Sequence, residues 1–204
     1  LSGKKIGYNN VLDISEGLSC LKEFNEPTCV IIKHNNPCGV ASAKNIETAY
    51  KKALKSDPMS AFGGVILLNK KIDEKLSKLI NKNFFEVIVA TKISSKTLEV
   101  LKSKKNLIII KSDNLGNDNK DTFKSVNSGI LYQEKNSYKI LKSKIKPVTI
   151  KNSSKKILDD LVFAFKVAKH VKSNAIVLAN NKQTIGIGAG QMSRFDSTRM
   201  AILK

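Results

Sequence analysis

The sequence has no tryptophan, four prolines and only three cysteines among its 204 residues. No apolar run approaches the roughly 20 residues that a membrane-spanning helix needs, and no signal-peptide core follows the N-terminus, so we expect no membrane association. Cys20, Cys29 and Cys38 form no CxxC pair, which argues against a disulfide framework or a closed zinc site and favours a reducing cytoplasm. Because the sequence begins without Met, we expect it to be an internal piece of a longer protein.

Acidic residues and arginine are also scarce. The chain has 36 Lys and Arg against 17 Asp and Glu, a net charge of +19, and its two arginines are Arg194 and Arg199. Such a charge suits a polyanionic partner such as nucleic acid. Base-reading contacts and bidentate phosphate contacts usually use Arg, however, and the sequence has no basic helix, zinc finger or aromatic RNA motif. We therefore expect small anionic substrates and no nucleic-acid partner, with biased genomic composition as the alternative explanation of the lysines.

Alternating short apolar runs and amphipathic segments predict an α/β fold with a largely buried sheet. Predicted strands cover residues 28–33, 64–68, 85–90, 107–110 and 129–133, followed by a hairpin of 174–179 and 183–187 that turns at 180–181. Predicted helices cover residues 14–24, with Asp13 as a possible N-cap, and 45–55, 73–81, 95–102 and 154–171; another begins near Ser193. The polar segment 112–121 is the best candidate for a boundary between lobes.

A polar segment, KHNNPCG at residues 33–39, follows the first predicted strand. Sites are commonly built where the strands of an open α/β sheet end. The imidazole of His34 changes charge near neutral pH and can accept a proton, and the ammonium of Lys33 can stabilise an oxyanion. The alternative is a surface lysine beside a capping histidine. Residues 37–39 are predicted to begin a helix.

The start of that helix is similar to the P-C-x-x-C signature of zinc deaminases. Ala41 stands where the second cysteine belongs, and the sequence has no H-x-E upstream. A zinc site is therefore not expected, whereas a related fold without metal stays open.

Four further positions are candidates, and for three of them there is a plainer alternative. Gly63, in SAFGG, allows close approach to a ligand or simply makes a tight turn. Glu86 lies in the apolar run FFEVIVA, so it has a partner or ligand, or it faces solvent on an edge strand. Asn174 orients a substrate amide or belongs to a polar turn. Arg194 follows the glycines of residues 186–190, where backbone amides and a guanidinium suit an anion.

Taken in order, seven segments resemble the formyltransferase domain of the bifunctional purine biosynthesis family, which joins phosphoribosylaminoimidazolecarboxamide formyltransferase to IMP cyclohydrolase. The segments are GKKIGYNN, IIKHNNPCGVA, DPMSAFGGVI, FFEVIVA, SGILYQ, VKSNAIVL and IGIGAGQMSRFDSTR. The resemblance spans essentially the whole chain.

The resemblance implies transfer of a formyl group from the co-substrate 10-formyltetrahydrofolate to the 5-amino group of 5-aminoimidazole-4-carboxamide ribonucleotide, in IMP biosynthesis. It implies cytidine-deaminase-like lobes, no catalytic metal, and a homodimer with a shared active site. By motif position it implies a general base (His34), a transition-state stabiliser (Lys33), nucleotide contacts (Gly63, Glu86, Asn174 and Arg194) and a folate contact (Phe195).

The resemblance also implies a domain layout. Residues 1–121 are expected to form the first lobe and residues 122–204 the N-terminal part of a truncated second lobe. The cyclohydrolase domain and the R-Y-G-x-N-P-H-Q and D-A-F-F-P-F segments of relatives are missing from the sequence, so we expect the chain alone to be inactive. From the resemblance we expect its parent protein to be a cyclohydrolase as well. A basic nucleic-acid-binding module and a metal-dependent deaminase are the alternatives from other functional classes.

Overall fold

The computed structural model describes residues 3–112, 121–148, 150 and 153–204. The strands in this part of the chain are β1 (Thr28–Lys33), β2 (Asn36–Ser42), β3 (Gly64–Leu68), β4 (Phe85–Ala90), β5 (Ile108–Lys111), β6 (Asp121–Val126), β7 (Gly129–Glu134), β8 (Ile176–Asn180) and β9 (Gln183–Gly188). The helices are α1 (Tyr8–Leu21), α2 (Ile46–Ser56), α3 (Pro58–Ala61), α4 (Glu74–Ile80), α5 (Ser95–Lys102), α6 (Lys155–Ala168) and α7 (Arg194–Ile202). The predicted mixed α/β class is confirmed.

Seven strands form one sheet in the order β5-β4-β3-β1-β2-β9-β8, and β6 and β7 form a separate hairpin. The β3–β4 and β4–β5 pairs are parallel, whereas the other four neighbouring pairs of the sheet are antiparallel. Because β2 pairs with β9, the chain on both sides of the predicted boundary at residue 121 contributes to one sheet. The division into two deaminase-like lobes stays a prediction.

The sheet is buried on both faces, as its continuous apolar strands predict. In β1, Cys29 and Ile31 face a core formed with α2, α4 and α5, whereas Val30 and Ile32 face a second core formed with α1 and α6. The same alternation runs through β3 and β4. This packing fixes the ends of β1 and β4, where the candidate site residues lie.

The segment after β1 differs from the prediction. Residues 37–39 lie in β2 and do not begin a helix, and β1 and β2 form a hairpin in which Lys33 pairs with Asn36. The two turn residues, His34 and Asn35, have φ of 52° and 60°, the conformation of a type I′ turn. This hairpin was not predicted, because His-Asn is not the Asn-Gly or Asp-Gly pair that usually marks such a turn.

The second hairpin, β8–β9, was predicted, but its turn lies one residue later than expected, at Asn181 and Lys182, with φ of 51° and 52°. Asp13 is not an N-cap, because α1 already begins at Tyr8. Strand β6 was not predicted. Most of the predicted boundary segment 112–121 lies outside the described residues. Among the described residues, no helix has the length and apolar character to cross a membrane.

Candidate functional site

Two neighbouring pockets meet at the turn of the β1–β2 hairpin. The first has a volume of about 310 Å³ and is lined by Gly7, Tyr8, Asn9, Asn10, Asp13, Lys33, His34, Gly63 and Glu86. The second, of about 230 Å³, is lined by Lys33, His34, Asn36, Pro37, Cys38, Asp57, Ser60, Ile187, Ala189, Gln191, Met200 and Lys204. The structure therefore brings together four predicted site residues, Lys33, His34, Gly63 and Glu86. Lys33 and His34 belong to both pockets.

The ammonium of Lys33 is held in place by backbone carbonyls. Its Nζ donates hydrogen bonds to the carbonyl oxygens of Phe62, at 3.0 Å, and Gly63, at 2.9 Å. Lys33 is the last residue of β1, so the buried strand fixes its backbone as well. The cation at the pocket is thus positioned in advance, the arrangement that favours stabilisation of a developing negative charge.

Residue 63 has little room for anything larger than glycine. Gly63 has φ of 66°, a left-handed conformation that glycine adopts at little cost. Its amide donates to the carbonyl oxygen of Phe84 at 2.8 Å, and an added Cβ would lie 3.0 Å from Nζ of Lys33. The glycine predicted from SAFGG therefore lets the Lys33 ammonium approach the backbone.

His34 is exposed at the tip of the hairpin, so its imidazole is accessible to a substrate. The Nδ2 of Asn36 donates to the carbonyl oxygen of His34 at 3.2 Å, and the Oδ1 of Asn36 accepts the amide of Lys172 at 3.0 Å. Asp13 accepts the amide of Asn35. The turn is therefore tied both to α1 and to the segment that leads into β8.

Glu86 lies on β4, an interior strand, so the edge-strand alternative is wrong. Its Oε2 accepts hydrogen bonds from Nδ2 of Asn10, at 3.1 Å, and from Nζ of Lys4, at 3.4 Å. The hydrogen bond from Asn10, and to a lesser degree the charge of Lys4, lower the pKa of Glu86 although partial burial opposes them. The pocket therefore holds an ionised carboxylate at neutral pH.

Asn174 does not line either pocket, but its side chain binds the loop at residues 191–192, beside the second pocket. Its Nδ2 donates to the carbonyl oxygens of Gln191, at 3.0 Å, and Met192, at 2.9 Å, and its own carbonyl accepts the hydroxyl of Ser197 at 2.7 Å. Gln191 lines the second pocket together with His34. Through this loop Asn174 is connected to the site.

Arg194 and Phe195 are also outside the lining of these two pockets. Both are exposed at the start of α7, and Phe195 is 70% exposed. The guanidinium of Arg199 lies 5.8 Å from the centre of that ring. The structure does not place either residue against His34 within one copy of the chain.

The glycines before Arg194 serve packing more than anion binding. An added Cβ at Gly186 would lie 1.8 Å from the carbonyl oxygen of Ala201, and one at Gly188 would lie 1.8 Å from that of Ser197. The amide of Gly190 donates a hydrogen bond to the carbonyl oxygen of Lys172 at 2.8 Å. Two of the three glycines therefore let α7 pack directly on β9.

Asn10, Asp13 and Asp57 are among the polar residues of the pockets that were not predicted as site residues. Asn10 belongs to the YNN part of a segment that the resemblance had already singled out, which was a usable signal. Asp57 lines the second pocket, where Lys204 bonds to it at 2.6 Å and its Oδ1 accepts the amide of Ser60 at 3.0 Å. Burial raises its pKa, but these hydrogen bonds outweigh it, so the net shift is downward.

The described residues contain no group of three or more His, Cys, Asp or Glu side chains placed to hold a metal ion. Burial, together with the charge of Asp57, raises the pKa of the Cys38 thiol to about 12. The thiol is therefore protonated at neutral pH, whereas a metal ligand or nucleophile needs the thiolate. That the protein uses no catalytic metal stays a prediction.

Comparison with known proteins adds an independent finding. The family model described as AICARFT/IMPCHase bienzyme matches residues 1–204. The chain is 49% identical over 205 residues to the bifunctional purine biosynthesis protein PurH of Caldicellulosiruptor bescii, covering 99% of the chain and 39% of the relative. The PurH proteins of Caldicellulosiruptor saccharolyticus and Acetivibrio thermocellus are 48% and 45% identical over 99% of the chain, which covers 39% and 40% of their lengths.

The chain thus spans about two fifths of the length of these curated relatives. Among solved structures, Acinetobacter baumannii RibD, form 1, has a TM-score of 0.37 at 16% identity and covers 52% of this chain and 34% of that one. A likeness this weak supports no conclusion about the fold. The family model and the PurH relatives, which match nearly the whole chain, show that it belongs to the AICARFT/IMPCHase bienzyme family.

Proposed function

We propose that the chain is part of an enzyme of purine biosynthesis and carries a formyltransferase site. In this reaction a formyl group passes from 10-formyltetrahydrofolate to the 5-amino group of 5-aminoimidazole-4-carboxamide ribonucleotide. The observation that carries the proposal is the pocket in which an accessible imidazole, His34, adjoins an ammonium, Lys33, that two carbonyls hold in place. Family membership supports it.

The reaction needs both groups. The amine of the substrate is conjugated with its ring and is a poor nucleophile, so it must lose a proton as its nitrogen bonds to the formyl carbon. His34 accepts that proton, which contributes about 10²–10⁴-fold to the rate in general base catalysis. Lys33 stabilises the oxyanion of the tetrahedral intermediate. The bond from the formyl carbon to the folate nitrogen then breaks, and that nitrogen takes up a proton.

The remaining residues bind the two anionic substrates. In the proposal, Glu86 accepts hydrogen bonds from the nucleotide, Gly63 allows it close approach, and Arg194 pairs with its phosphate. Asn174 has both amide hydrogens engaged by the 191–192 loop, so its Oδ1 is the atom that remains for the nucleotide. Phe195 offers an exposed ring to the folate.

The proposal includes a homodimer with a shared active site. Arg194 and Phe195 lie outside the pockets at His34 yet are exposed, which makes them available to a second copy. We further propose deaminase-like lobes divided near residue 121, no resident metal, and a cytoplasmic parent protein that is also a cyclohydrolase.

The test of the reaction is His34→Ala in the full-length protein. We expect kcat/KM for formyl transfer to fall about 10²–10⁴-fold, because the general base is lost. Asn181→Ala is the matched control, since Asn181 occupies the same turn position in the other hairpin. Formyl transfer at the wild-type rate by the His34 variant would refute the proposed role.

The shared site has its own test. Full-length His34→Ala and Arg194→Ala proteins are each inactive if the proposal holds, but mixing them after partial unfolding forms hybrid dimers with one intact site. Activity in the mixture approaching a quarter of the wild-type value is expected. Active Arg194→Ala protein, or no recovery in a mixture shown to contain hybrids, would contradict the shared arrangement.

A further inference from the structure

The turn that carries His34 is unfavourable by itself. His34 and Asn35 both have left-handed backbone conformations, with φ of 52° and 60°, and neither is glycine. Such a conformation is unfavourable for a residue with a side chain, although His and Asn tolerate it better than most. The turn therefore depends on contacts from outside the hairpin.

Asp13 supplies the contact that reaches the turn from α1. It is only 8% exposed, and its Oδ1 accepts the backbone amide of Asn35 at 2.6 Å. In a two-residue turn the hydrogen bond that closes the hairpin uses only the flanking residues, so the amide of Asn35 has no partner in the ladder. A carboxylate acceptor makes this bond charge-assisted, and such bonds are stronger than neutral ones.

The other hairpin uses the same device away from the pockets at His34. There Asp160, on α6, accepts the amides of Asn181 at 2.9 Å and Lys182 at 2.8 Å, and both of these residues are left-handed. Asp160 lines neither pocket at His34, whereas Asp13 lines the first one together with Lys33 and Glu86. The chain thus contains an internal control for the structural part of Asp13's role.

We propose that Asp13 is a positioning residue for proton transfer, because its bond to Asn35 holds His34 at the pocket. The inference rests on the proposed function, in which His34 is the general base. Without the acceptor at residue 13 the turn relaxes and the imidazole moves. A misplacement of about 1 Å can cost on the order of 10² in rate, while binding of the nucleotide by other residues is largely kept.

The experiment compares Asp13→Ala, Asp13→Asn and Asp160→Ala in the full-length protein, with His34→Ala alongside. Asp13→Ala is expected to lower kcat roughly 10- to 100-fold while KM for the nucleotide changes less than about threefold. Asp13→Asn keeps an acceptor oxygen in place and should retain at least about a third of kcat. Hydrogen–deuterium exchange should speed up at residues 33–36 in Asp13→Ala and at residues 180–183 in Asp160→Ala, the latter with unchanged kcat.

A kcat within about twofold of wild type in Asp13→Ala, with faster exchange at residues 33–36, would overturn the proposal and leave Asp13 a purely structural role. So would a loss of more than about tenfold in Asp13→Asn, or an equal loss in Asp160→Ala. If Asp13→Ala does not fold, Asp13→Ser, whose hydroxyl is too short to reach the amide, takes its place with the same expectations. Full activity in His34→Ala would instead refute the proposed function itself.

Discussion

The β1–β2 and β8–β9 hairpins share one design, a two-residue turn of left-handed, non-glycine residues in which an aspartate on a helix accepts one turn amide in the first hairpin and both in the second. They differ in what surrounds the turn. Beside His34 lie the anchored ammonium of Lys33 and the ionised Glu86, whereas Asp160 and Lys182 line a third pocket among Lys155 and Lys156. Backbone geometry alone therefore does not mark a functional site. The first turn differs in having an ammonium that two backbone carbonyls hold beside an exposed imidazole.

The largest effect that should separate the hairpins is loss of the ammonium. Lys33→Met in the full-length protein is expected to lower kcat for formyl transfer about 10²–10³-fold, the usual result of removing an oxyanion donor. Lys182→Met, at the other turn, is the control and should keep wild-type kcat. Steady-state kinetics at saturating substrates measure both. A Lys33→Met enzyme within fivefold of wild type would remove the main distinction between the two turns.

The second prediction concerns the backbone opposite Lys33. Gly63→Ala forces a side chain into a left-handed conformation 3.0 Å from Nζ of Lys33, and we expect a loss of about 1–3 kcal/mol in stability together with a lower kcat. Gly129→Ala is the control, because an added Cβ there meets nothing within 4 Å. Chemical denaturation and kinetics of the two variants test this. Equal stability of both variants would show that residue 63 does not constrain the site.

Part of the fold could be predicted from the sequence. The bounds of β3, β4 and α5 agree with the prediction, because short apolar runs between turn-forming residues specify them locally. Strand β2 could not be recognised in the same way, since Pro37 and Gly39 interrupt the alternation that identifies a strand. The first hairpin was missed for this reason, and its turn was assigned to a helix start.

The site shows the same limit. Lys33 and His34 are adjacent in sequence, and Glu86 is conspicuous as a carboxylate in an apolar run, so all three could be found. Their partners could not, because Asn10 is 76 positions from Glu86 and Asp13 is 22 positions from Asn35. Contacts of this kind are made by packing of α1 on the sheet, which no local pattern encodes.

The smallest predicted effect concerns the carboxylate of Glu86 in the first pocket. Because the hydrogen bond from Asn10 lowers the pKa of Glu86, its carboxylate stays ionised above the ordinary value of 4.5 and is neutralised only as the pH falls below that value. Glu86→Gln should therefore weaken nucleotide binding about 3- to 10-fold, and this factor should stay the same from pH 8 to pH 5.

Titration calorimetry of the full-length protein measures this factor. The phosphate of the nucleotide itself titrates near pH 6, so the ratio of wild-type to variant affinity is the informative quantity. Asn10→Ala removes the hydrogen bond that lowers the pKa of Glu86. In the Asn10→Ala protein, the effect of Glu86→Gln on affinity should therefore disappear at a higher pH than in the wild type. If the ratio of wild-type to Glu86→Gln affinity already falls between pH 7 and pH 5, Glu86 is neutralised in the pocket. An ionised carboxylate would then not be one of the features that set the first hairpin apart.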